Sequence, residues 1–349
     1  MRGRGGRLLI AAAALAVGAA LALYLVWGRS WRPWPIEDLV AAPPVRFERA
    51  RGLPEPRTEA GGAVLDGRLY VIGGIDSFAR TLSSAWAYDP AGDAWERLPD
   101  LPRKLSHPGV VGVDGRLWVI GGFGPLGIRL RGAMIARWDP LATVYVYDPR
   151  AARWDSVAPL PSARGAGGAA HAAGALWYVG GIDPALLPSA SLFRLDLATG
   201  GWTSMPPMRI ARDHLRMEAV GGELFAISGR EDDLRFNLPD VERFTIVEGR
   251  WSPAAPLGRP RGGFGSVVSD GRIYLFGGEG VWRTMDFVDR YDPALDRWER
   301  LPGLPEARHG IVGGVLRDGI HLVSGGRHPR VSISGIHRVM TLPSGSAAR

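Results

Sequence analysis

The sequence predicts an all-β fold made of six repeats. The stretch GRLYVIGG at residues 67–74 returns as GRLWVIGG at 115–122, and weaker copies follow at 174–181, 222–229, 271–278 and 319–326. The glycine pairs end at intervals of 48, 59, 48, 49 and 48 residues, and such a period is typical of stacked supersecondary units. Glycine and proline interrupt the chain frequently, and no sustained 3.6-residue pattern indicates a helix within the repeats.

Each repeat contains a strand that is apolar on both sides. In the first copy Leu69 and Val71 face one side while Tyr70 and Ile72 face the other, which is typical of a strand packed between neighbouring sheets. An aromatic–acidic turn follows most copies, as YDP at 88–90, 147–149 and 291–293. A tryptophan then follows in five repeats: Trp95, Trp154, Trp202, Trp251 and Trp298.

This order of motifs resembles the kelch repeat over roughly residues 45–342. The resemblance implies that each repeat is a four-stranded antiparallel blade of a β-propeller. The sixth repeat lacks its tryptophan and fourth strand, but VRFERARGLPEPR at 45–57 aligns with ARWDSVAPLPSAR at 152–164, with Phe47 in the tryptophan position. We therefore expect the N-terminal segment to complete the last blade and close a six-bladed propeller over 45–342, because closure removes exposed sheet edges. A disordered tail is expected at 343–349.

The N-terminal segment predicts a membrane anchor. A basic stretch at 1–7 precedes Leu8–Trp27, which carries no charge over 20 residues and as a helix is about 30 Å long, enough to span a bilayer. Arg2, Arg4 and Arg7 favour a cytoplasmic N-terminus, which leaves the proline-rich spacer at 28–44 and the propeller on the periplasmic or extracellular side. The alternative is a signal peptide cleaved near residues 20–22, which gives a secreted or periplasmic protein.

Composition excludes several function classes. The chain has no cysteine, which removes disulfides, thiolate metal sites and cysteine nucleophiles, and excludes the tyrosine–cysteine cofactor of kelch oxidases of the galactose oxidase kind. The net charge is +7, but the basic residues are dispersed among 35 acids, so nucleic acid is not an expected partner. No metal-ligand spacing and no strand–helix nucleotide loop occur, so neither a metal nor a cofactor is expected. We expect a monomeric propeller.

Five arginines recur ten residues after the outer-strand aromatic residue, at the start of the next inner strand: Arg57, Arg164, Arg212, Arg261 and Arg308. We expect these side chains at one rim of the central channel, where clustered positive charge favours an anionic ligand. The resemblance supports this role, because kelch adaptors that read acidic peptides use arginines at this strand position. The alternative is that each arginine pairs with a carboxylate or stacks on an aromatic ring of a neighbouring blade.

A second group of polar residues is predicted on the channel side of the inner strands. In RDHLRMEAV at 212–220, Arg212, His214, Arg216 and Glu218 alternate and share one face, whereas other inner strands have small residues there. Counting from the arginine positions places Glu59 and His107 level with His214, so these residues join the candidate binding cluster. The alternative is an internal salt-bridge network within a decayed repeat.

The sequence leaves two functions open. The leading hypothesis is a membrane-anchored kelch module that binds an anionic small molecule or an acidic protein segment at the channel rim. The alternative is an exported enzyme of the sialic acid mutarotase type, because GGEGVWRTMD at 277–286 resembles the Gly-Gly-Glu…Arg-Thr stretch of that family. That resemblance implies Glu279 as acid–base group and Arg283 as carboxylate ligand, and Glu59 or His214 are further acid–base candidates.

Overall fold

The computed structural model describes residues 44–130, 134–231 and 233–342, and these form six four-stranded antiparallel sheets and one additional hairpin. The six-bladed all-β prediction is therefore confirmed. The predicted segments at 1–7 and 8–27, most of the spacer at 28–44, and the tail at 343–349 lie outside the described residues. Within the described part of the chain, no helix is long and apolar enough to span a bilayer.

Blades 1 to 3 follow the chain from the inner to the outer strand. Blade 1 contains Gly61–Leu65, Arg68–Ile72, Ala85–Asp89 and Ala94–Leu98. Blade 2 contains Gly109–Val113, Arg116–Ile120, Val144–Asp148 and Arg153–Ser156. Blade 3 contains Gly168–Ala172, Ala175–Val179, Leu192–Asp196 and Trp202–Met205. The additional hairpin, Phe123–Leu130 with Met134–Pro140, is the insertion between strands two and three of blade 2.

Blades 4 to 6 repeat the same order. Blade 4 contains Arg216–Val220, Glu223–Ile227, Val241–Thr245 and Arg250–Ala254. Blade 5 contains Gly265–Ser269, Arg272–Phe276, Val288–Asp292 and Arg297–Leu301. Blade 6 contains Val312–Leu316, Gly319–Val323 and His337–Thr341, and its outer strand is the N-terminal Arg46–Arg49. Phe47 pairs with Met340 in that sheet, which confirms the predicted closure.

The inner strands of neighbouring blades contact one another in a closed ring, so they surround the central channel. The second strand of each blade is apolar on both faces because it packs against the sheets on either side. Leu69, Val71 and Ile72 are fully buried, as are their counterparts in other blades. The hydrophobic core is accordingly divided into clusters that join adjacent blades rather than one central core.

The recurrent tryptophans join each blade to the one before it. Their indole N–H groups donate to backbone carbonyls of the preceding blade; for example, Trp202 Nε1 lies 3.0 Å from Ala158 O and Trp251 Nε1 lies 2.8 Å from Pro206 O. The glycine pair also joins blades, because it forms a hydrogen bond to the blade that follows. Gly74 has a φ of 105° and its N–H donates to Leu105 O of the next blade at 2.9 Å. The predicted structural role of both motifs agrees with these contacts.

The structure corrects one detail of the repeat alignment. The sixth copy ends on Gly325-Gly326 in the sequence, but the N–H that bonds the next blade belongs to Gly325, which donates to Arg57 O at 2.9 Å. Ser324 and Gly325 are therefore the equivalents of Gly73 and Gly74, as Ser228 and Gly229 are in blade 4. Ser324 and Ser228 both adopt positive φ, 64° and 49°, as the first glycine of the pair does.

Candidate functional site

The five recurrent arginines are buried in the blades rather than exposed at the channel rim. Arg57, Arg212, Arg261 and Arg308 are 0% exposed and Arg164 is 7% exposed. Their guanidinium groups turn back into their own blade, and all except Arg164 donate to carbonyls near the end of strand two or the start of strand three. Arg57 Nη1, for example, lies 2.8 Å from Gly73 O and 3.1 Å from Ser84 O.

Carboxylates complete the coordination of three of these arginines. Arg57 pairs with Glu55 at 2.6 Å, Arg212 with Glu242 at 3.2 Å, and Arg261 contacts Asp289. Arg164 instead bonds Ser162 and Ser191, and Arg308 bonds the carbonyls of Ser324 and Ile336. These contacts resemble the alternative prediction, in which each arginine has a structural role and pairs with a carboxylate. The carboxylates, however, belong to the same blade as the arginine and not to its neighbour. The ligand-binding role of these five arginines stays a prediction.

The residues two positions after each repeat arginine, or after Leu105 in blade 2, form a ring around the channel mouth. We call Glu59, His107, Ala166, His214, Gly263 and Gly310 the central ring. Their backbones are linked in sequence by N–H to C=O bonds, from His107 N to Glu59 O at 2.8 Å through to Gly310 N to Gly263 O at 2.6 Å. All six have φ between 49° and 62°, a left-handed conformation that favours glycine.

The central ring brings Glu59, His107 and His214 together as the sequence predicted. His107 Nε2 lies 3.4 Å from Glu59 Oε2, and the imidazole rings of His107 and His214 meet edge to face with centroids 5.0 Å apart. Burial and the nearby His214, Arg230, His309 and Arg216 lower the pKa of His107 well below its ordinary value, so its ring is neutral at pH 7.

The neighbouring charged residues extend this cluster, and the sequence reasoning missed three of them. His309 Nε2 lies 3.5 Å from Glu59 Oε1 and 3.7 Å from Glu279 Oε2. Arg230 joins Glu279 at 3.1 Å to Asp213 at 3.3 Å, and Asp213 bonds Nδ1 of His214. Asp213 and His309 directly follow the repeat arginines Arg212 and Arg308. A comparison of this position across the repeats, one residue before that of Glu59 and His214, could have identified them.

Arg216 and Glu218 lie deeper, beside a channel cavity of about 80 Å³. Arg216 Nε donates to Phe264 O at 2.7 Å, and Ser266 Oγ donates to Glu218 Oε1. Burial raises the pKa of Glu218 to about 7, and the Ser266 hydroxyl and the Arg216 charge only partly offset this effect. The two residues therefore belong to the channel interior, below the central ring.

Glu279 is buried, whereas Arg283 is exposed to solvent. Glu279 is 3% exposed, and although burial alone raises its pKa, His309, Arg230 and the Arg330 N–H together hold the pKa below its ordinary value. Arg283 is exposed on the following turn, where its carbonyl accepts from Gly280 N at 3.0 Å. A carboxylate kept ionised in this way is poorly suited to donate a proton near neutral pH.

The loops between strands two and three surround the central ring on the same face. Backbone bridges such as Thr58 with Ile75 and Gly262 with Glu279 connect the start of each inner strand to these loops. Each loop exposes a large apolar side chain among its described residues: Phe78, Leu126, Leu187, Phe236, Trp282 and Val331, with Trp282 the most exposed of these at 81%.

Comparisons with known proteins agree with this architecture. The protein-family model described as Kelch motif matches residues 56–102, 104–161 and 260–305. Kelch-like protein 34 of Homo sapiens is 30% identical over 313 residues, which are 81% of this chain and 46% of that protein. Alpha-scruin of Limulus polyphemus is 31% identical over 186 residues, 50% of this chain and 20% of that protein. The chain thus spans less than half the length of these curated relatives.

The solved structure described as "Structure of YjhT" superposes with a TM-score of 0.72 at 14% identity, covering 85% of this chain and 98% of that one. At this identity the likeness concerns the fold alone. The described part of the chain is accordingly a kelch-repeat β-propeller with six blades, and kelch motifs are present in its sequence.

Proposed function

We propose that this propeller is a binding module that holds an acidic protein segment on the exposed loops of blades 5 and 6. The surface consists of Trp282, Arg283, Arg327 and Arg330, and we call it the rim patch. The observation that carries the proposal is the side chain of Trp282, which is 81% exposed beside three arginines. Exposed tryptophan and arginine side chains are the residue types that most often dominate binding energy at protein interfaces.

The arginines of the rim patch differ from Arg80 in blade 1 and Arg235 in blade 4 in having no carboxylate partner among the described residues. Arg80 stacks over Phe78 and pairs with Asp76 at 2.7 Å, and Arg235 stacks over Phe236 and pairs with Asp233 at 3.2 Å. Among the described residues, none forms an ion pair with Arg283, Arg327 or Arg330. This sector of the rim therefore presents uncompensated positive charge, which favours an acidic partner.

The backbone of the rim patch is fixed although its side chains are exposed. Thr284 Oγ1 donates to Arg327 O at 2.8 Å and so links the loops of blades 5 and 6. Arg330 has a φ of 70°, and its N–H donates to Glu279 Oε2 at 2.9 Å. A preorganised surface loses little conformational entropy when a partner binds.

The test is binding of fluorescein-labelled dodecapeptides rich in Asp and Glu with one or two Leu residues, compared with Lys-rich peptides of the same apolar content. We expect binding only to the acidic set, weakened by salt and reduced about tenfold or more by Trp282→Ala or by Arg283→Glu with Arg327→Glu. Arg80→Glu is the matched control, because Arg80 lies on the same rim but is already paired. Equal binding of both peptide sets, or an equal loss in the control, would contradict the proposal.

Membrane attachment through Leu8–Trp27, with the propeller outside the cytoplasm, is part of this proposal and rests on the sequence. Secretion after signal cleavage is the alternative. Extraction of membranes with alkaline carbonate distinguishes them: the anchored chain stays in the pellet, and a cleaved chain appears in the soluble fraction with a shorter mass. Replacing Leu15 by Arg in the apolar segment is expected to reduce the pelleted fraction, since a charge near the centre of the segment opposes insertion.

The enzymatic alternative, with Glu59 or His214 of the central ring as further acid–base candidates, finds no support in the placement of Glu279 and Arg283. Glu279 forms an ion pair with Arg230 and Arg283 lies exposed on the surface turn, so the two residues do not share one pocket in the described structure. The binding module is therefore the function that the arrangement supports best.

A further inference from the structure

We infer that the central ring holds one divalent transition-metal ion of the zinc class, with Glu59, His107 and His214 as its protein ligands. Each of the three residues offers a ligand atom, and these atoms lie within 4.8 Å of one another. Two imidazoles and one carboxylate are a common protein ligand set for zinc with an open fourth position. Ligand atoms about 2.0–2.1 Å from a tetrahedral ion lie ~3.3 Å apart, and Glu59 Oε2 and His107 Nε2 are 3.4 Å apart.

The space between these residues fits a small ion. A cavity of about 20 Å³ is lined by Glu59, His107 and His214 together with Arg216 and the glycine at 263. A water molecule needs about 10–15 Å³ by the same measure, so the cavity accommodates one ion with a bound water. It adjoins the 80 Å³ cavity that Glu218 lines, because Arg216 and three other residues line both cavities.

The hydrogen bonds of the two imidazoles engage Nδ1 of each ring and leave Nε2 available to a ligand. His214 Nδ1 contacts Asp213 Oδ1, a carboxylate oxygen that can only accept, so the proton lies on Nδ1 and Nε2 is free. His107 Nδ1 lies 3.1 Å from Ser106 Oγ, which leaves Nε2 directed at Glu59. Metal-binding histidines characteristically use the second ring nitrogen in this way.

The charge of the cluster also favours a cation. Arg230 pairs with Asp213 and Glu279, and Arg216 donates to a backbone carbonyl. Glu59 is nine-tenths buried, and its ion-pair partners among the described residues are only the imidazoles of His107 and His309, at 3.4 and 3.5 Å. Arg216 also acts on Glu59 electrostatically but is not among its ion-pair partners, and a metal ion between the carboxylate and the imidazoles lowers the cost of burying this charge.

The backbone supplies an independent argument. The left-handed positions of the ring are occupied by Ala166, Gly263 and Gly310 in three blades, where small residues suffice. Glu59, His107 and His214 occupy the same strained conformation with φ of 52°, 53° and 49°. A left-handed conformation costs a residue with a side chain of this kind roughly 1–2 kcal/mol. Three residues of types that bind metals adopt this unfavourable conformation, which indicates that they have a role beyond closing the ring.

His309 lies on the other side of the Glu59 carboxylate from His107. His309 Nδ1 donates to Gly326 O at 3.2 Å, and His309 Nε2 faces the second oxygen of Glu59 at 3.5 Å. The Glu59 carboxylate therefore lies between the two imidazoles, with Oε1 on the side of His309 and Oε2 on the side of His107.

The experiment is metal titration of the full-length chain, purified in a mild detergent and stripped with a chelator. We expect isothermal titration calorimetry with Zn²⁺ to show one equivalent bound, and Co²⁺ to give the intense visible absorption of a four- or five-coordinate site. The variant His107→Gly with His214→Gly should bind at least tenfold more weakly, as should Glu59→Gln. His328→Gln, which changes an exposed histidine on the same face, should bind as the wild type does.

Folding of the variants is controlled within the same experiment. Gly263 and Gly310 occupy the equivalent positions, so the metal-free double glycine variant should melt no lower than the metal-free wild type. Zn²⁺ should raise the melting temperature of the wild type and not that of the variant. Absence of metal binding by the wild type, or unchanged affinity in the folded double variant, would overturn the inference.

Discussion

Replacing Arg212 by alanine is expected to lower the free energy of unfolding by about 3–5 kcal/mol, the usual cost of breaking a buried ion pair by removing one partner. Arg212 is 0% exposed and Glu242 is 4% exposed, and their charged atoms lie 3.2 Å apart. Without Arg212, the Glu242 carboxylate keeps only the backbone N–H groups of Arg209 and Ile210. Urea titration followed by tryptophan fluorescence measures the change.

Arg209→Ala is the matched control for this prediction. Arg209 lies in the same loop, but its side chain is 75% exposed and its pair with Asp240 is 3.6 Å long, so its removal should change stability by less than about 0.5 kcal/mol. The double variant Arg212→Met with Glu242→Leu should recover most of the loss, because no charge is then left buried. Equal effects of Arg212→Ala and Arg209→Ala would show that the buried pair does not stabilise the blade.

Replacing Glu218 by glutamine is expected to change how stability depends on pH. The pKa of Glu218 is about 7 in the folded protein, against an ordinary value of 4.5. Between these pH values the unfolded chain has released a proton that the folded chain retains, so this group makes the wild type less stable as pH rises. The full shift corresponds to at most about 3 kcal/mol.

Glu218→Gln removes this titration and keeps an acceptor for Ser266. Its stability relative to the wild type should therefore increase by about 1–3 kcal/mol between about pH 4.5 and pH 7.5. Glu248→Gln is the control, because Glu248 is exposed and pairs only with Arg250 on the surface. A stability difference between Glu218→Gln and the wild type that does not vary with pH would show that Glu218 is solvated as an ordinary surface carboxylate.

The architecture was predictable because it depends on spacing. The Gly-Gly period and the missing outer strand of the last repeat determined blade number and closure, and Phe47 pairs where the alignment placed it. Side-chain direction was not predictable in the same way. An arginine at the start of an inner strand can point to the channel or back into its blade, and the left-handed residue two positions later helps to set that direction. The residue types in the sequence do not show that this residue is left-handed.

Part of the polar cluster was predictable because its members occupy equivalent positions in different repeats. Glu59, His107 and His214 occupy one column of the repeat, so counting from the arginines brought them together. A metal site was not expected from the sequence, because its ligands come from three blades and are separated by dozens of residues. Arg230 and Glu279 occupy yet another column, after the glycine pair, where blades 1 and 3 have Ile75 and Ile182. These different repeat positions become neighbours in space only when the six blades close into a ring.

Ring closure by the N-terminal strand also has a consequence for synthesis of the chain. Arg46–Arg49 pairs with His337–Thr341, so its partner emerges roughly 290 residues later, which at about 5–20 residues per second takes ~15–60 s. During that time the outer strand of the last blade is an unpaired edge. Its side chains are Arg46, Phe47, Glu48 and Arg49, and charged side chains on an edge discourage pairing with other chains. The composition of this short strand therefore protects the nascent chain from aggregation until its final blade is complete.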